Sequence, residues 1–157
     1  MTQAEIKWLT EDEQRTWRAF IGAYTRLHAK LDAELLASSS LTLGEYEVMA
    51  HLSESPRWEL RMNDLAERCG LSPSGLTRRF DGMARQNLVE RRRCAEDRRG
   101  VLAVLTPTGF ERLTATAPAH VASVRRHFVD HLTPDEMVVL ADVFGRVVAN
   151  GAESHAR

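Results

Sequence analysis

The chain has 157 residues, 43% hydrophobic and 27% charged, with a formal charge of −1 and two cysteines. Such a chain suits one domain with a real core, and two cysteines exclude a disulfide framework or a Cys-built metal cluster and suit a reducing compartment. No apolar run approaches the roughly 18 residues of a membrane span, and the acidic start MTQAEIKWLTEDEQ lacks a signal-peptide core, so a cytoplasmic protein without a membrane partner is expected.

Residues 11–37 carry Trp17, Phe20, Ile21, Tyr24, Leu27, Leu31 and Leu35 at helical spacing, and Thr10 with Glu13 forms a capping-box pattern ahead of them. The run Ser38-Ser39-Ser40 ends this helix. Thr42 opens a second, LGEYEVMAHL, striped by Leu43, Tyr46, Met49 and Ala50. SESPRW, residues 53–58, reads as a loop around Pro56. A short third helix covers 62–69 with Leu65 and Ala66 inward, and Gly70 suits a left-handed stop. Ser72 as cap and Pro73 at the first helical position start a fourth helix, which reaches about Gln86.

Residues 88–94 and 101–105 read as two strands, joined by the polar AEDRRG. Thr106-Pro107 starts a fifth helix, striped by Phe110, Leu113, Ala117, Val121, Val124, Phe128 and Leu132. Thr133-Pro134 starts a sixth, striped by Met137, Leu140, Ala141, Phe144, Val147 and Val148. The order α-α-α-α-β-β-α-α predicts a mainly α fold with a small β-hairpin. Helices 3 and 4, joined by Cys69-Gly70-Leu71, form a helix-turn-helix, and the hairpin is its wing.

Charge is distributed unevenly. Residues 1–67 carry net −5, residues 68–99 carry nine arginines against four carboxylates, net +5, and residues 100–157 carry −1. A basic island between acidic flanks suggests a polyanion partner. On the fourth helix Leu76, Phe80, Met83 and Ala84 share one side, while Ser74, Arg78, Asp81 and Arg85 point away. In a helix-turn-helix the second helix enters the major groove N-terminus first. Ser74 and Arg78 are then base-contact candidates, with Arg able to grip guanine bidentately. Thr77 could touch a base methyl or a phosphate. The N-terminal amides near Ser72 to Gly75 can hold a phosphate, with Pro73 supplying no N–H of its own, and Gly75 leaves room for close approach.

The stretch RRRCAEDRRGVLAVLTPTG, residues 91–109, extends this surface. Arg98 and Arg99 at the hairpin tip could enter the adjacent minor groove, with Asp97 as a brace. Arg91 and Arg93 lie on one strand face and Arg92 on the other, so they cannot all point at DNA. At least one is expected to be solvated or paired with Glu90.

With these residues in view, the sequence resembles the multiple antibiotic resistance regulator (MarR) family of bacterial transcription factors from about residue 10 to 150. LTLGEYEVMAHL, MNDLAERCGLSPSGLTRRFDGMARQNLVER, EDRRGVLAVLT and PTGFERL carry the resemblance. It implies a triangular homodimer with interlocked terminal helices and two winged helix-turn-helix lobes on a pseudo-palindromic site. It also implies that Ser72, Ser74, Thr77 and Arg78 sit in the recognition region, that Arg98 is the wing arginine and that Asp97 is its structural partner. Repression is the family's commoner mode. The single domain, 1–157, then divides into dimerisation helices, 10–40 and 107–150, and a DNA-binding lobe, 42–106. The apolar stripes at both ends of the chain favour a dimer independently, since one small lobe could hardly bury them all.

Family members often respond to small phenolic or aromatic ligands held between dimer helices and lobes. Trp17, Tyr24, His28, His51, Trp58 and Arg61 are the candidates here, mixing apolar walls with polar groups. Trp17 and Tyr24 fit plain dimer core as well, and the helical stripe favours that. Redox control would need a reactive thiol. The family's thiol sensors carry one near the start of helix 1, where this chain has none. Cys69 suits a buried turn position, and Cys94 lies near arginines that could lower its pKa. His127 and His131, four apart on a helix and preceded by His120, have zinc-compatible spacing, but nothing fixes the remaining ligands. No metal and no cofactor are assigned. A P-loop, a glycine-rich dinucleotide turn, HExxH and GxSxG are all lacking, so no enzyme is expected. A winged helix that binds protein instead of DNA is the competing class, and a neutral or acidic recognition helix would mark it. This one is basic.

Overall fold

The computed structural model describes residues 6–94 and 100–153, with side chains as far as residue 149. The expected wing tip, with Asp97, Arg98 and Arg99, lies outside the described residues. Helix α1 (Glu11–Ser39) starts on the expected capping box: the Thr10 N–H donates to Glu13 Oε2 at 2.8 Å, and the Glu13 N–H donates to the Thr10 hydroxyl at 3.3 Å. Helix α2 (Leu43–Ser53) repeats the device with Thr42 and Glu45. The Leu43 N–H also donates to Asp32 Oδ1 at 2.7 Å, which fixes the start of α2 on α1.

Helix α3 (Met62–Arg68) stops where a left-handed residue was expected, at Gly70 with φ 62°. The Gly70 N–H donates to the Glu67 carbonyl and the Leu71 N–H to the Ala66 carbonyl, at 3.0 and 2.9 Å. This pair of bonds ends the helix and turns the chain at once. Helix α4 (Pro73–Arg85) follows, capped by Ser72, whose hydroxyl accepts from the Gly75 N–H at 3.1 Å.

The sheet departs from expectation. Strands β1 (Glu59–Arg61), β2 (Val89–Arg93) and β3 (Val101–Leu105) pair antiparallel in the order β1-β3-β2. The expected hairpin is β2 and β3, in register from Val89 opposite Leu105 to Arg93 opposite Val101. The added strand pairs Glu59 with Val104 and Arg61 with Leu102. Three residues are too few to show a period of two, so β1 exists only through its pairing with a segment some forty positions on. Before it, Pro56–Trp58 forms a 3-10 turn where an open loop was expected.

The core lies among α2, α3, α4 and the sheet. Val48, Met49, Leu52, Leu65, Phe80, Met83 and Ala103 are fully buried. Each large member contributes roughly 1.5–3 kcal/mol relative to exposure.

Helix α5 (Pro107–His127) is joined to the sheet by Thr106. Its hydroxyl donates to the Asn87 carbonyl at 2.6 Å and accepts from the Gly109 N–H at 2.9 Å. A Cβ on Gly109 would stand 2.0 Å from the Leu88 carbonyl oxygen, so glycine alone permits this approach. The helix stops at His127, and Val129–His131 forms a separate 3-10 turn before α6 (Pro134–Glu153). The apolar stripe expected to run to Leu132 is therefore interrupted, and His127 and His131 do not share a helix. Phe128, at φ −138° and ψ −66°, is the residue that breaks it. Two compact units divide the chain, one up to His120 and one from Val121.

Candidate nucleic-acid interface

α4 sorts its residues as the helical wheel predicts. Leu76, Phe80 and Met83 are buried, while Ser72, Pro73, Ser74, Thr77, Arg78 and Arg85 are exposed. Gly75 is half-buried, with its N–H spent on the Ser72 cap. The Ser74 hydroxyl lies 3.2 Å from that of Ser72, so the two serines form one polar cluster at the helix start. The Thr77 hydroxyl donates back to the Pro73 carbonyl at 2.9 Å. With that hydrogen engaged, its methyl and the accepting lone pairs of its oxygen are left to meet a ligand.

Asp81 corrects the wheel. It is half-buried and holds Arg91 of β2 at 2.5 Å, and the Arg91 guanidinium lies 5.0 Å from the centroid of Phe80. This contact ties the wing strand to the recognition helix. Arg92, on the opposite strand face, pairs with Glu59 of β1. Glu59 also accepts from Arg57, at 2.8 Å from Nε and 2.7 Å from a terminal nitrogen. The hydrogen bond from Arg57 leads the forces that hold the Glu59 carboxyl below the usual carboxylate range. At least one strand arginine was expected to be solvated or paired with Glu90, and Arg93 is exposed. The partners found, Asp81 and Glu59, are ten and thirty-three residues away. Alternation of side-chain direction along Arg91, Arg92 and Arg93 signalled that two faces would need partners but not which. A groove of about 530 Å³ lies between α3, α4 and the sheet, with Arg61, Asp64, Thr77 and Arg91 in its walls.

The six effector candidates fall into separate places. Trp17, Phe20, Tyr24 and His28 form an aromatic ladder along α1, with successive centroids 6.1, 6.4 and 5.9 Å apart. Trp17 and Tyr24 are 55% and 58% exposed, so within this chain they form a surface, not a pocket wall. Trp58 stacks on Phe110 at 4.3 Å, against the core. His51 is half-buried near the end of α2, and exposed Arg61 belongs to the groove beside α4.

The Cys69 thiol is half-buried and its pKa is pushed up to about 11, chiefly by burial, which suits a structural turn residue. Cys94 closes the β2–β3 pair, its N–H donating to the Gly100 carbonyl at 2.9 Å. His120 packs on Tyr46 with centroids 4.3 Å apart. Burial lowers the His120 pKa, and its Nδ1 has no partner among the described residues. Among the described residues no three His, Cys, Asp or Glu side chains gather as a metal cluster, and no helix is long and apolar enough to cross a membrane.

Comparison with known proteins places these features. Residues 39–100 match the model of the MarR family. The chain superimposes on AbsC, a MarR family transcriptional regulator from Streptomyces coelicolor, with a TM-score of 0.87 and 38% identity, covering 94% of this chain and 99% of that one. A MarR family transcriptional regulator from the same organism, solved in complex with DNA, gives a TM-score of 0.86 and 38% identity, covering 93% and 91% of the two chains. The HTH-type transcriptional repressor YetL of Bacillus subtilis is 28% identical over 114 residues, covering 71% of this chain and 68% of that protein.

Proposed function

The chain belongs to the MarR family of transcriptional regulators, and on that premise we propose that it is a cytoplasmic, sequence-specific repressor that binds double-stranded DNA as a homodimer. The observation that carries this reading is α4. Its inner side is locked into the core, and its outer side offers Ser72, Ser74, Thr77 and Arg78 in a row from the capped start. The YetL likeness supports repression, and the relative solved with DNA supports the partner.

Each residue has a stated role. Arg78 reads a base edge, guanine being its best match. The Thr77 methyl meets a thymine methyl. Ser72, Pro73, Ser74 and Gly75 bring the helix start to a phosphate. Arg85 reaches the backbone farther along. Arg98 and Arg99 enter the minor groove, braced by Asp97. The lobe is 42–106, and the helices of 10–40 and 107–150 join two copies so that both recognition helices meet a pseudo-palindromic operator about one DNA turn apart.

Bare apolar side chains support the dimer. On α1, Trp17, Phe20, Ile21 and Tyr24 are exposed, and in the second unit Val138, Val147 and Val148 are exposed. A monomer would leave these in water, and exposed apolar surface on each unit marks an interface. The α1 ladder is also the place where a small aromatic effector could compete with dimer packing and release the operator.

The test is fluorescence anisotropy with DNA from upstream of the chain's own gene, against scrambled DNA, across a salt series. Tight binding to the first alone, falling steeply with salt, is expected. Equal weak binding to both overturns the reading. Under the same conditions Arg98→Ala should flatten the salt slope by about 1 if Arg98 neutralises one phosphate.

A further inference from the structure

The arginines of the wing do not all belong to the α4 side. On the outer face of the sheet, Arg61 and Arg92 flank Leu102 of the central strand, one from β1 and one from β2. Arg57 lies with them in a groove of about 540 Å³, and Arg93, which alternates to the strand face of Arg91, borders it from the end of β2. Among the described residues Glu59 is the one carboxylate in its lining, and its side chain is only 9% exposed.

Glu59 acts as an organiser. It takes Nε and one terminal nitrogen of Arg57 on one oxygen and a terminal nitrogen of Arg92 on the other. A guanidinium has five N–H donors. Both arginines therefore keep donors facing outward while their planes are held. The backbone is bent to the same end: Arg57 and Trp58 are consecutive non-glycine residues in the left-handed region, at φ 56° and 58°. Such strain persists where surroundings over-determine it, and it clusters at functional positions. Here the Trp58 ring is pinned on Phe110 and the Arg57 side chain on Glu59.

We propose that this outer sheet face is a second phosphate-binding surface, which holds the backbone of duplex DNA flanking the half-site read by α4. The proposal rests on the regulator reading above. Fixed guanidinium forks match phosphate oxygens. The groove offers little apolar floor beyond Leu102 and Val104, less than the desolvated anchor a protein partner needs. It also meets the α4 side at Arg61, which lines both this groove and the one beside α4.

The experiment uses the full chain and two duplexes: the shortest that the wild type selects from a random pool, and the same duplex extended at both ends by unrelated sequence. Anisotropy is followed across a chloride series. The wild type should show a steeper salt slope on the extended duplex, by about 1 per flanking contact. Arg93→Gln, which leaves the Glu59 bridges in place, should lower that excess by about 1 per protomer. A triple variant, Arg57→Gln with Glu59→Gln and Arg92→Gln, should remove more of it, with the melting curve as a check on folding. Both variants should bind the short duplex as the wild type does. Equal wild-type slopes on the two duplexes overturn the proposal. So does an equal loss by Arg93→Gln on both, which would place the residue in the core contact. Inorganic phosphate at matched ionic strength should weaken the length effect while the short duplex stays bound, since it competes for the same guanidinium forks. Wild-type chain that selects no duplex at all overturns the regulator reading itself.

Discussion

α1 and α4 are both amphipathic by sequence, and they end in opposite conditions. α4 buries Leu76, Phe80 and Met83 almost completely. α1 buries Leu31 and Leu35 near its end and leaves Trp17, Phe20, Ile21 and Tyr24 bare. An apolar stripe states that a face needs cover but not what covers it. For α4 the cover is the lobe's own core. For α1 a second copy of the chain supplies it on the proposed reading.

The sharpest break between the two helices comes from removing one aromatic from each. Phe80→Ala should cost about 3–5 kcal/mol of lobe stability, read as an early urea midpoint at every protein concentration. Trp17→Ser combined with Tyr24→Ser should instead lower the mass seen in sedimentation equilibrium and make the melting temperature depend more strongly on concentration. A double variant that stays dimeric with an unchanged melt would show that this stripe is not the dimer contact.

The exposed side of α4 sharpens the contrast next. Arg78→Ala should cost on the order of 1–3 kcal/mol at one base position per half-site, read from a panel of single-base operator variants. A loss equal across all sequences would show that Arg78 holds backbone and reads no base. A smaller effect is expected from the cap: Ser72→Ala should lower stability by about 1 kcal/mol, with chemical denaturation as the readout.

The smallest effect concerns His120, half-buried against Tyr46. Its pKa is lowered in the fold, so the unfolded chain takes up a proton first as pH falls. The stability that neutral His120 supports is fully present above the ordinary histidine value near 6.5 and is lost as pH falls through that value toward the lower folded one. Unfolding free energies measured at about pH 7.5 and 5.5 should converge in His120→Phe, which keeps a ring against Tyr46. An unchanged gap would place the pH dependence elsewhere.

Local chemistry made much of this fold readable from the chain. Thr10 with Glu13, Gly70, and Ser72 with Pro73 each act within five residues, and the structure uses each as its composition implies. The burial pattern of α4 was readable for the same reason. What escaped was non-local. β1 is a strand because β3 lies beside it, and Asp81 faces Arg91 because a strand folds back on a helix. The end of α5 at His127 also escaped, since the apolar spacing continues through Phe128 to Leu132 while the backbone does not. The stacking of Trp58 on Phe110 was not legible either, since residue type does not say which ring meets which.

The Thr106 joint has a mechanical meaning. With its hydroxyl bonded on both sides and no room for a methyl on Gly109, the joint between β3 and α5 is clamped at both the sheet and the helix. The first part of α5 and the lobe therefore turn as one piece. From Pro107 to His120 the helix is a lever roughly 20 Å long, and a tilt of about 10° about one end carries the other through about 3–4 Å. A displacement of that size takes a guanidinium out of hydrogen-bond range of a base. On the proposed reading, a small rotation imposed on the helix would separate the chain from DNA without unfolding any part of the lobe.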